Sequence, residues 1–286
     1  MAAFHGRLPS PGYQTDNFGE TFLAAEGYDA VHFQTDRNNW YQSVDIGRAL
    51  EGAARVMARY PMRATYGSSM GGFAAVAFSG PLDATTVAAF VPQASARTAT
   101  APWESRWRDE RDHIVPVMDD LATQVARGAK IFVAYDPMQR LDRRHVRRIE
   151  EIAPVERLQF PLSEHATLRF IADIGLHKRI PLDCFTGTAD HMRYRATVRD
   201  LRRLSPTYLF YAGHYVRRLR KDTALCWRLW LAALDLPKGD TTFYKSIFRN
   251  APPVGVIDEI ERIVRRRREN TALQSAYSES PPARPA

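Results

Sequence analysis

A glycine-crowded turn that holds two serines interrupts an apolar stretch of the chain. The segment MRATYGSSMGGFAAVAFSG runs from Met62 to Gly80, and Gly67, Gly71 and Gly72 surround its serines. One glycine is enough for an ordinary sharp turn, whereas several are needed where neighbouring backbone comes too close for a Cβ atom. The segment therefore predicts either a packing site for small residues or a bent backbone that presents a serine for chemistry.

Short apolar strands alternate with amphipathic helices through the first part of the chain. In the helical stretch 45–60, for example, Ile46, Leu50 and Met57 fall on one face. The strand-like segments are rich in Val, Ile, Phe and Tyr and are bounded by Gly, Pro or Asp; they cover 2–4, 29–35, 63–66, 86–93, 130–135 and 156–160. Because strands that alternate with helices favour parallel pairing, residues 1–184 are predicted to form an α/β domain with a mostly parallel sheet of about six strands flanked by helices.

The strand pattern stops after Cys184, and helical patterns replace it. Four segments read as helices, namely 190–204, 206–220, 223–236 and 256–269. We therefore expect an all-α C-terminal region over 185–270. The final segment, 271–286, is rich in Ser, Pro and Ala with little apolar content, and it predicts a disordered tail.

The charge of the chain does not indicate a nucleic-acid partner. The net charge is +8, but arginines mostly alternate with acids, as in WESRWRDERDH and RRHVRRIEEI. The run Arg265 to Arg268 lies at a predicted helix end, where basic side chains complement the helix dipole. No zinc-finger pattern and no glycine–aromatic RNA-binding signature is present, so we expect no nucleic-acid binding.

Cysteine usage and hydropathy favour a cytoplasmic protein. Cys184 and Cys226 have neither close spacing nor a metal-ligand pattern, which suggests a reducing compartment and no metal site. The start of the chain, MAAFHGRLPSPG, lacks the apolar segment of a secretory signal. The densest apolar run, ALCWRLWLAALDL, is too short to span a membrane, so no membrane span is predicted.

The glycine-crowded turn has the pattern of a nucleophile elbow. Gly67, Ser69 and Gly71 form G-x-S-x-G directly after the predicted strand 63–66 and directly before an Ala-rich helical segment. A strand-to-helix turn of this kind presents its central serine at the edge of a sheet. Ser69 is therefore the candidate nucleophile, whereas Ser68 occupies a variable position and is expected to point elsewhere.

With this motif in its strand–helix context, residues 1–173 resemble the α/β-hydrolase superfamily. The segment AAFHGR resembles the family's third strand with its His-Gly turn, and the segments that resemble strands four to eight are 27–40, 66–75, 86–93, 130–137 and 157–170. The first two strands of the family are therefore expected to be missing, and whether the natural start lies further upstream stays open. GSSMGG followed by PQ is also similar to bacterial hydrolase-like proteins linked to polysaccharide genes.

The resemblance implies a Ser-His-Asp triad in the chain order serine, acid, histidine. A serine hydroxyl needs a base to remove its proton, and the base needs a carboxylate to hold its tautomer. His165 follows the predicted strand 156–160 in a turn before a helix and fits the base. Asp136, at the end of the predicted strand 130–135, is favoured as the acid. Asp142 stays open as the alternative, although it also fits a helix N-cap.

The resemblance further implies an oxyanion hole made of backbone amides. One is the N–H of Met70, the residue after the nucleophile, and the other lies near Gly6 and Arg7. His5 is expected to belong to that turn, and His145 is expected to be structural. No metal and no organic cofactor is implied.

Four large side chains lie on loops that leave the predicted carboxyl edge of the sheet. Open α/β sheets bind ligands at that edge, so Trp40, Gln93, Trp103 and Trp107 are candidates for lining a substrate pocket. Their alternative role is to close the core beneath a loop.

The C-terminal region contains one weakly tetratricopeptide-like helix pair. Gly213, Ala232 and Pro237 have the spacing of such a pair, and no second copy follows. One pair cannot bury its own hydrophobic face. Trp227 and Trp230 must therefore pack on other helices, on the α/β domain, on a protein partner or on a second copy of the chain.

Together these features predict a serine hydrolase, either an esterase or an acyl transferase, that acts on a small-molecule or glycan carbonyl ester. The alternative is a non-catalytic scaffold with the hydrolase fold, whose C-terminal helices dock a protein in polysaccharide assembly.

Overall fold

The computed structural model describes residues 1–10, 12–13, 16–237 and 241–278. These residues form two compact units, which divide between Leu201 and Arg202. The first unit contains the sheet with its helices, and the second contains helices. Each unit has a hydrophobic core of its own.

A single sheet of six strands is the centre of the first unit. The strands are β1 (Ala2–Phe4), β2 (Val31–Phe33), β3 (Ala64–Ser68), β4 (Thr86–Phe90), β5 (Lys130–Tyr135) and β6 (Glu156–Gln159). They pair in the order β2-β1-β3-β4-β5-β6, and every pairing is parallel. All carboxyl ends therefore meet at one edge, where the loops that follow the strands converge. The predicted mostly parallel sheet of about six strands is confirmed.

Nine helices of the first unit are described: α1 (Glu20–Ala25), α2 (Ile46–Met57), α3 (Met70–Ala77), α4 (Arg108–Arg111), α5 (Leu121–Gln124), α6 (Arg140–Glu150), α7 (Thr167–Asp173), α8 (Arg179–Phe185) and α9 (His191–Leu201). In α2 the predicted apolar face is buried at Ile46, Leu50 and Met57. Every residue of α3 is buried, which explains why its sequence is almost entirely Gly, Ala, Val and Phe. A 3-10 turn, Glu164–Ala166, precedes α7.

The first unit extends further along the chain than the predicted boundary at 184. Phe185, at the end of α8, is fully buried, and its ring lies 5.3 Å from the ring of Tyr66 and 5.6 Å from that of Tyr28. The hydroxyl of Thr86 on β4 also donates to the Phe185 carbonyl, at 3.1 Å. These contacts attach α8 to the sheet, so a division directly after Cys184 would cut through the core.

Replacing Phe185 with Ala should destabilise the first unit by about 3–5 kcal/mol, because a buried ring is lost and a cavity remains. Tyr13→Ala is the matched control, since Tyr13 belongs to the same unit and is 74% exposed. The control should change stability by less than about 0.5 kcal/mol. Urea unfolding followed by circular dichroism measures both changes. Equal effects of the two substitutions would contradict the placement of α8.

The second unit contains α10 (Pro206–Arg220), α11 (Thr223–Asp235), α12 (Thr241–Phe248) and α13 (Val254–Ser278). Ser205 caps α10 by accepting from the Tyr208 amide at 3.0 Å, and Asp222 caps α11 by accepting from the Leu225 amide at 2.9 Å. Only Lys221 and Asp222 separate the two helices, so the chain folds back on itself as a helical hairpin.

The aromatic face of α11 is buried by other helices of the second unit. The core of this unit combines residues from all four helices: Leu209, Phe210, Cys226, Trp227, Trp230, Ala233, Leu234, Phe243, Ile247, Ile260 and Ile263. Of the coverings that the sequence left open for Trp227 and Trp230, packing on neighbouring helices is therefore present.

Gly213 sets how closely α10 approaches α11. A Cβ atom at this position would lie 2.5 Å from two atoms of the Trp230 indole ring. The indole N–H donates to the carbonyl of Phe210 at 3.0 Å, which holds the ring in place. The glycine of the tetratricopeptide-like pattern thus makes room for a buried tryptophan.

Replacing Gly213 with Ala should destabilise the second unit by about 1–3 kcal/mol, because overpacking outweighs the gain in helix propensity. Gly255→Ala in α13 is the matched control, since a Cβ there meets nothing within 4 Å. The control should leave stability unchanged or raise it by up to about 1 kcal/mol. Thermal unfolding of both variants tests the contact, and a neutral Gly213→Ala would contradict it.

The basic run and the predicted tail both fall on α13. Arg267 of this run donates to the carbonyls of Leu234 and Pro237 at 3.1 and 2.9 Å, and it thereby stabilises the C-terminal end of α11. α13 continues to Ser278 and therefore extends into the segment 271–286 that was predicted as a disordered tail. Residues 279–286 lie outside the described residues.

Two further observations concern the described part of the chain as a whole. Cys184 and Cys226 are both buried free thiols. None of the described helices combines the length and the apolar character that crossing a bilayer requires.

Candidate active site

Ser69 lies at the tight turn between β3 and α3. Its backbone has φ 56° and ψ −119°, a conformation that residues with a side chain rarely adopt and that costs energy. A Cβ on Gly67 would lie 2.1 Å from the Gly71 carbonyl oxygen, and one on Gly71 would lie 2.2 Å from that of Phe4. The glycines are therefore required by the closeness of the surrounding backbone, and the turn leaves the Ser69 side chain partly exposed.

Ser69, His165 and Asp142 form a continuous hydrogen-bonded chain. The Ser69 Oγ lies 2.9 Å from the His165 Nε2. The His165 Nδ1 lies 3.0 and 2.9 Å from the two carboxylate oxygens of Asp142. An ionised carboxylate can only accept, so Nδ1 carries the proton, and Nε2 is left to accept from the serine hydroxyl.

Asp142, rather than Asp136, contacts the histidine, which corrects the preference drawn from the sequence. The N-cap of α6 is Gln139, whose side-chain oxygen accepts from the amides of Leu141 and Asp142 at 2.6 and 3.2 Å. Asp142 is thus inside the first helical turn, where its fully buried side chain turns towards His165. The expectation that Asp142 caps the helix is wrong for the same reason.

Asp136 instead holds the loop that carries His165. Its two carboxylate oxygens accept from the amides of Met138 and Glu164, each at 2.8 Å. Burial raises the pKa of Asp136 above its ordinary value, and these backbone hydrogen bonds oppose that effect. Leu162 and Glu164 have left-handed backbone, with φ 65° and 49°, so the turn needs such an anchor.

A partly buried cation, Arg106, also contacts the carboxylate of Asp142. The Nη2 of Arg106 donates to Asp142 Oδ1 at 2.6 Å. Burial by itself would raise the pKa of Asp142, but the adjacent His165 and Arg106 outweigh burial and hold that pKa below its ordinary value. The carboxylate is therefore ionised and ready to accept from the imidazole.

Glu104 and His145 extend this network into the core. Glu104 accepts from the Nε and Nη2 of Arg106 at 2.9 and 2.6 Å, and from the Nε2 of His145 at 3.0 Å. Burial opposes ionisation of Glu104, but His145 and Arg106 lower the pKa of its carboxyl to about 2. The amide of Ala94 donates to the His145 Nδ1 at 3.0 Å, and burial lowers the pKa of His145, so that ring is neutral.

The sequence did not reveal the network of Glu104, Arg106 and His145. The alternation of charges in WESRWRDERDH was interpreted only as arginines and acids that offset each other, and it gave no sign that its first glutamate is fully buried. The available signal was the position of these charges between Trp103 and Trp107, because aromatic neighbours favour burial.

The predicted oxyanion residues lie beside the elbow. Met70 begins α3, where the first N–H groups of a helix have no acceptor within the helix. A Cβ on Gly6 would lie 3.3 Å from the Ser68 carbonyl, which places the His5–Leu8 turn against the elbow. The amide of Leu8 already donates to Asn38 Oδ1, at 2.7 Å, so Gly6 and Arg7 carry the amides of interest in this turn.

Side chains from the loop after β2 and from α4 hold that turn in place. Arg7 donates twice to Glu110, at 2.9 and 2.7 Å, and the Nδ2 of Asn38 donates to the same carboxylate at 2.9 Å. The Tyr41 hydroxyl donates to the carbonyl of His5 at 2.8 Å. Because the Arg7 side chain is bound to Glu110, only the backbone amide of Arg7 is left for the predicted oxyanion hole.

Trp40 and Gln93 are part of the core behind the site, and the prediction that they line an open pocket is corrected. Both side chains are 0% exposed, and the Trp40 indole N–H donates to Gln93 Oε1 at 3.0 Å. Because the indole N–H of Trp40 and the side-chain oxygen of Gln93 are hydrogen-bonded to each other, both side chains can be buried. They therefore present no surface to a substrate.

The other two tryptophans occupy different places. The Trp107 ring lies 5.2 Å from the His165 ring and 6.0 Å from the Trp40 ring, and it is only partly buried. Trp107 is therefore an aromatic side chain beside His165. Trp103 lines a separate cleft of about 590 Å³ together with Ala99, Thr100, Arg144, Arg147, Arg148 and Glu151.

A larger cleft of about 690 Å³ begins at Arg7, next to the predicted oxyanion turn. Its described lining residues do not include Ser69 or His165, but they include three exposed valines: Val44, Val115 and Val117. Exposed apolar side chains beside polar ones are typical of a surface that binds a ligand with both characters.

Neither similarity to known proteins nor a metal-binding cluster assigns a function to the described residues. No protein-family model matches the chain, and neither a curated protein nor a solved structure matches it significantly. Within the described residues, no three His, Cys, Asp or Glu side chains cluster in a way that could hold a metal ion.

Asp142→Asn should remove the far-downfield proton NMR signal of the His165 Nδ1–H, because that hydrogen bond to a charged acceptor is lost. Asp136→Asn is the matched control: it should retain the signal and lower the melting temperature, since one amide then loses its carboxylate acceptor. Proton NMR at low temperature measures both. A signal that survives Asp142→Asn and disappears in Asp136→Asn would reverse the assignment.

Proposed function

We propose that this chain is a serine hydrolase of the α/β-hydrolase type, an esterase or acyl transferase that acts on a carbonyl ester. The observation that carries the proposal is the hydrogen-bonded chain from Ser69 through His165 to buried, ionised Asp142. Its order along the sequence is serine, acid, histidine, which is the order of that superfamily.

In the proposed first half-reaction, Ser69 Oγ attacks the ester carbonyl carbon. His165 Nε2 takes the hydroxyl proton as the new C–O bond forms, and Asp142 stabilises the imidazolium. In this proposal the N–H groups of Met70 and of the Gly6–Arg7 turn donate to the oxygen that becomes negative. When the intermediate collapses, His165 returns the proton to the leaving alcohol, and an acyl-Ser69 ester remains.

In the second half-reaction the same groups act on a second nucleophile. Water or an acceptor alcohol gives its proton to His165 Nε2 and attacks the acyl carbon, and the proton then returns to Ser69 Oγ. Water as the nucleophile makes the protein an esterase, and an acceptor alcohol makes it an acyl transferase.

The surroundings of Ser69 support an ester with a polar and an apolar part. The Trp107 ring beside His165 offers a face for a sugar ring or an acyl chain. The separate cleft that includes Arg7 adds polar side chains and exposed valines near the predicted oxyanion turn. An acylated glycan has both characters and is the substrate class that we propose on the strength of the sequence resemblance.

Ser69→Ala should abolish ester turnover, with a loss of at least about 10⁴-fold in kcat, because the nucleophile is removed. Ser68→Ala is the matched control in the same turn and should keep most of the activity. Short-chain nitrophenyl esters and acetylated sugars serve as substrates, and a fluorophosphonate probe should label wild-type and Ser68→Ala protein but not Ser69→Ala.

Absence of labelling and of turnover with correctly folded wild-type protein would contradict the proposal. The alternative, a non-catalytic scaffold whose helices dock a protein, would then be favoured. Labelling that depends on Ser68 rather than Ser69 would show that the serine has been assigned to the wrong position of the turn.

A further inference from the structure

The carboxylate of Asp142 is shared between two positively polarised groups. Its Oδ1 accepts both from Arg106 Nη2, at 2.6 Å, and from His165 Nδ1, at 3.0 Å. The Asp142 side chain is fully buried, so charges around it are screened much less than on the surface. A change at Arg106 is therefore felt by the pair of Asp142 and His165 directly.

The guanidinium of Arg106 is fixed in this position. Glu104 binds it through two nitrogens, at 2.9 and 2.6 Å, and its Cζ lies 4.6 Å from the centre of the Trp107 ring. His145, held by the Ala94 amide, donates to Glu104 Oε2, the same oxygen that accepts from Arg106 Nη2. The same Trp107 ring contacts His165, so the arginine cannot shift without disturbing the histidine's neighbour.

Structural stability alone does not account for a cation at this place. The remaining terminal nitrogen, Arg106 Nη1, is buried without a hydrogen-bond partner among the described residues. A buried donor that lacks a partner costs stability, and so does the burial of a charge. The arrangement is better explained by what the charge does to Asp142 and His165.

We propose that Arg106 is a positioning residue that sets the pH range of the site. Because Arg106 shares Asp142 with His165, its positive charge lowers the pH at which this pair binds a proton. Glu104, with His145 behind it, holds Arg106 in place and offsets part of its charge. The effect of Arg106 on catalysis rests on the proposed function. Its effect on proton binding by Asp142 and His165 does not depend on that function.

The sign follows from the charges that face the pair. Asp142 and His165 are joined by a hydrogen bond, so a charge near one of them also acts on the other. The charged groups around them in the described structure are Arg106 and Glu104, from the loop before α4, and Asp136, whose carboxylate anchors the turn before His165. Removing the nearest cation favours proton binding by the pair, and removing the nearby anion Glu104 disfavours it.

The test uses the full chain labelled with ¹⁵N-histidine and four variants. Arg106→Gln should move the pH at which the His165 ring signals change upward by about 1 pH unit, and Glu104→Gln should move it downward by a smaller amount. Arg106→Lys, which retains the charge, should stay close to wild type. Arg147→Gln, which removes an exposed arginine from the same helix as Asp142, should leave the transition unchanged.

A second readout links the same variants to catalysis. The acid limb of the pH profile of kcat/KM for ester hydrolysis should move in parallel, upward in Arg106→Gln and downward in Glu104→Gln. If Arg106 had a merely structural role, both substitutions would move the acid limb in the same direction, or they would lower kcat/KM without moving the limb. Shifts of equal sign, or no shift in either variant, would overturn the inference.

The two proposals fail in different ways. If His165 titrates as expected in the variants while Ser69 is never labelled, the role of Arg106 stands and the hydrolase proposal falls. If Ser69 is labelled and the transition does not move in any variant, the role of Arg106 falls alone. Should Arg106→Gln not fold, Glu104→Gln decides, since an unchanged or upward transition there overturns the inference.

Discussion

The backbone fit at the elbow is the constraint on which the rest of the first unit depends. β3 lies between β1 and β4, and the turn after it passes so close to β1 that Gly71 leaves no room for a Cβ beside the Phe4 carbonyl. This contact fixes where α3 enters the core and brings the His5–Leu8 turn against Ser69. The left-handed backbone of Ser69 persists because α3 and its neighbouring strands are fully packed around it.

Asp136 and Asp142 are both buried, but they have different roles because their hydrogen-bond partners differ. Asp136 faces neutral backbone amides, so burial dominates and the carboxylate acts as an anchor for a strained turn. Asp142 faces a guanidinium and an imidazole, and these keep it ionised. The role of each aspartate is therefore set by the loops that pack on it, which come from other parts of the chain.

The sequence predicted the features that depend on a local pattern of residues. It missed the features that depend on contacts between loops that are distant in the sequence. All six strands, the elbow at Ser69 and the turn with His165 follow from short segments read on their own. Choosing between Asp136 and Asp142 required knowing that α6 is capped by Gln139, three residues before the cap suggested by the sequence. Trp40 and Gln93 looked like pocket residues because loops are usually exposed, but their mutual hydrogen bond allows burial. The unit boundary was placed before Phe185, whose burial depends on distant aromatic rings.

The division of the chain after Leu201 has a consequence for biosynthesis. Ser69, Asp142 and His165, with the residues that position them, all belong to the first unit. Domains generally fold as units and in order as the chain leaves the ribosome. The nascent polypeptide can therefore bring Ser69, Asp142 and His165 together while Arg202 and the helices after it are still being translated.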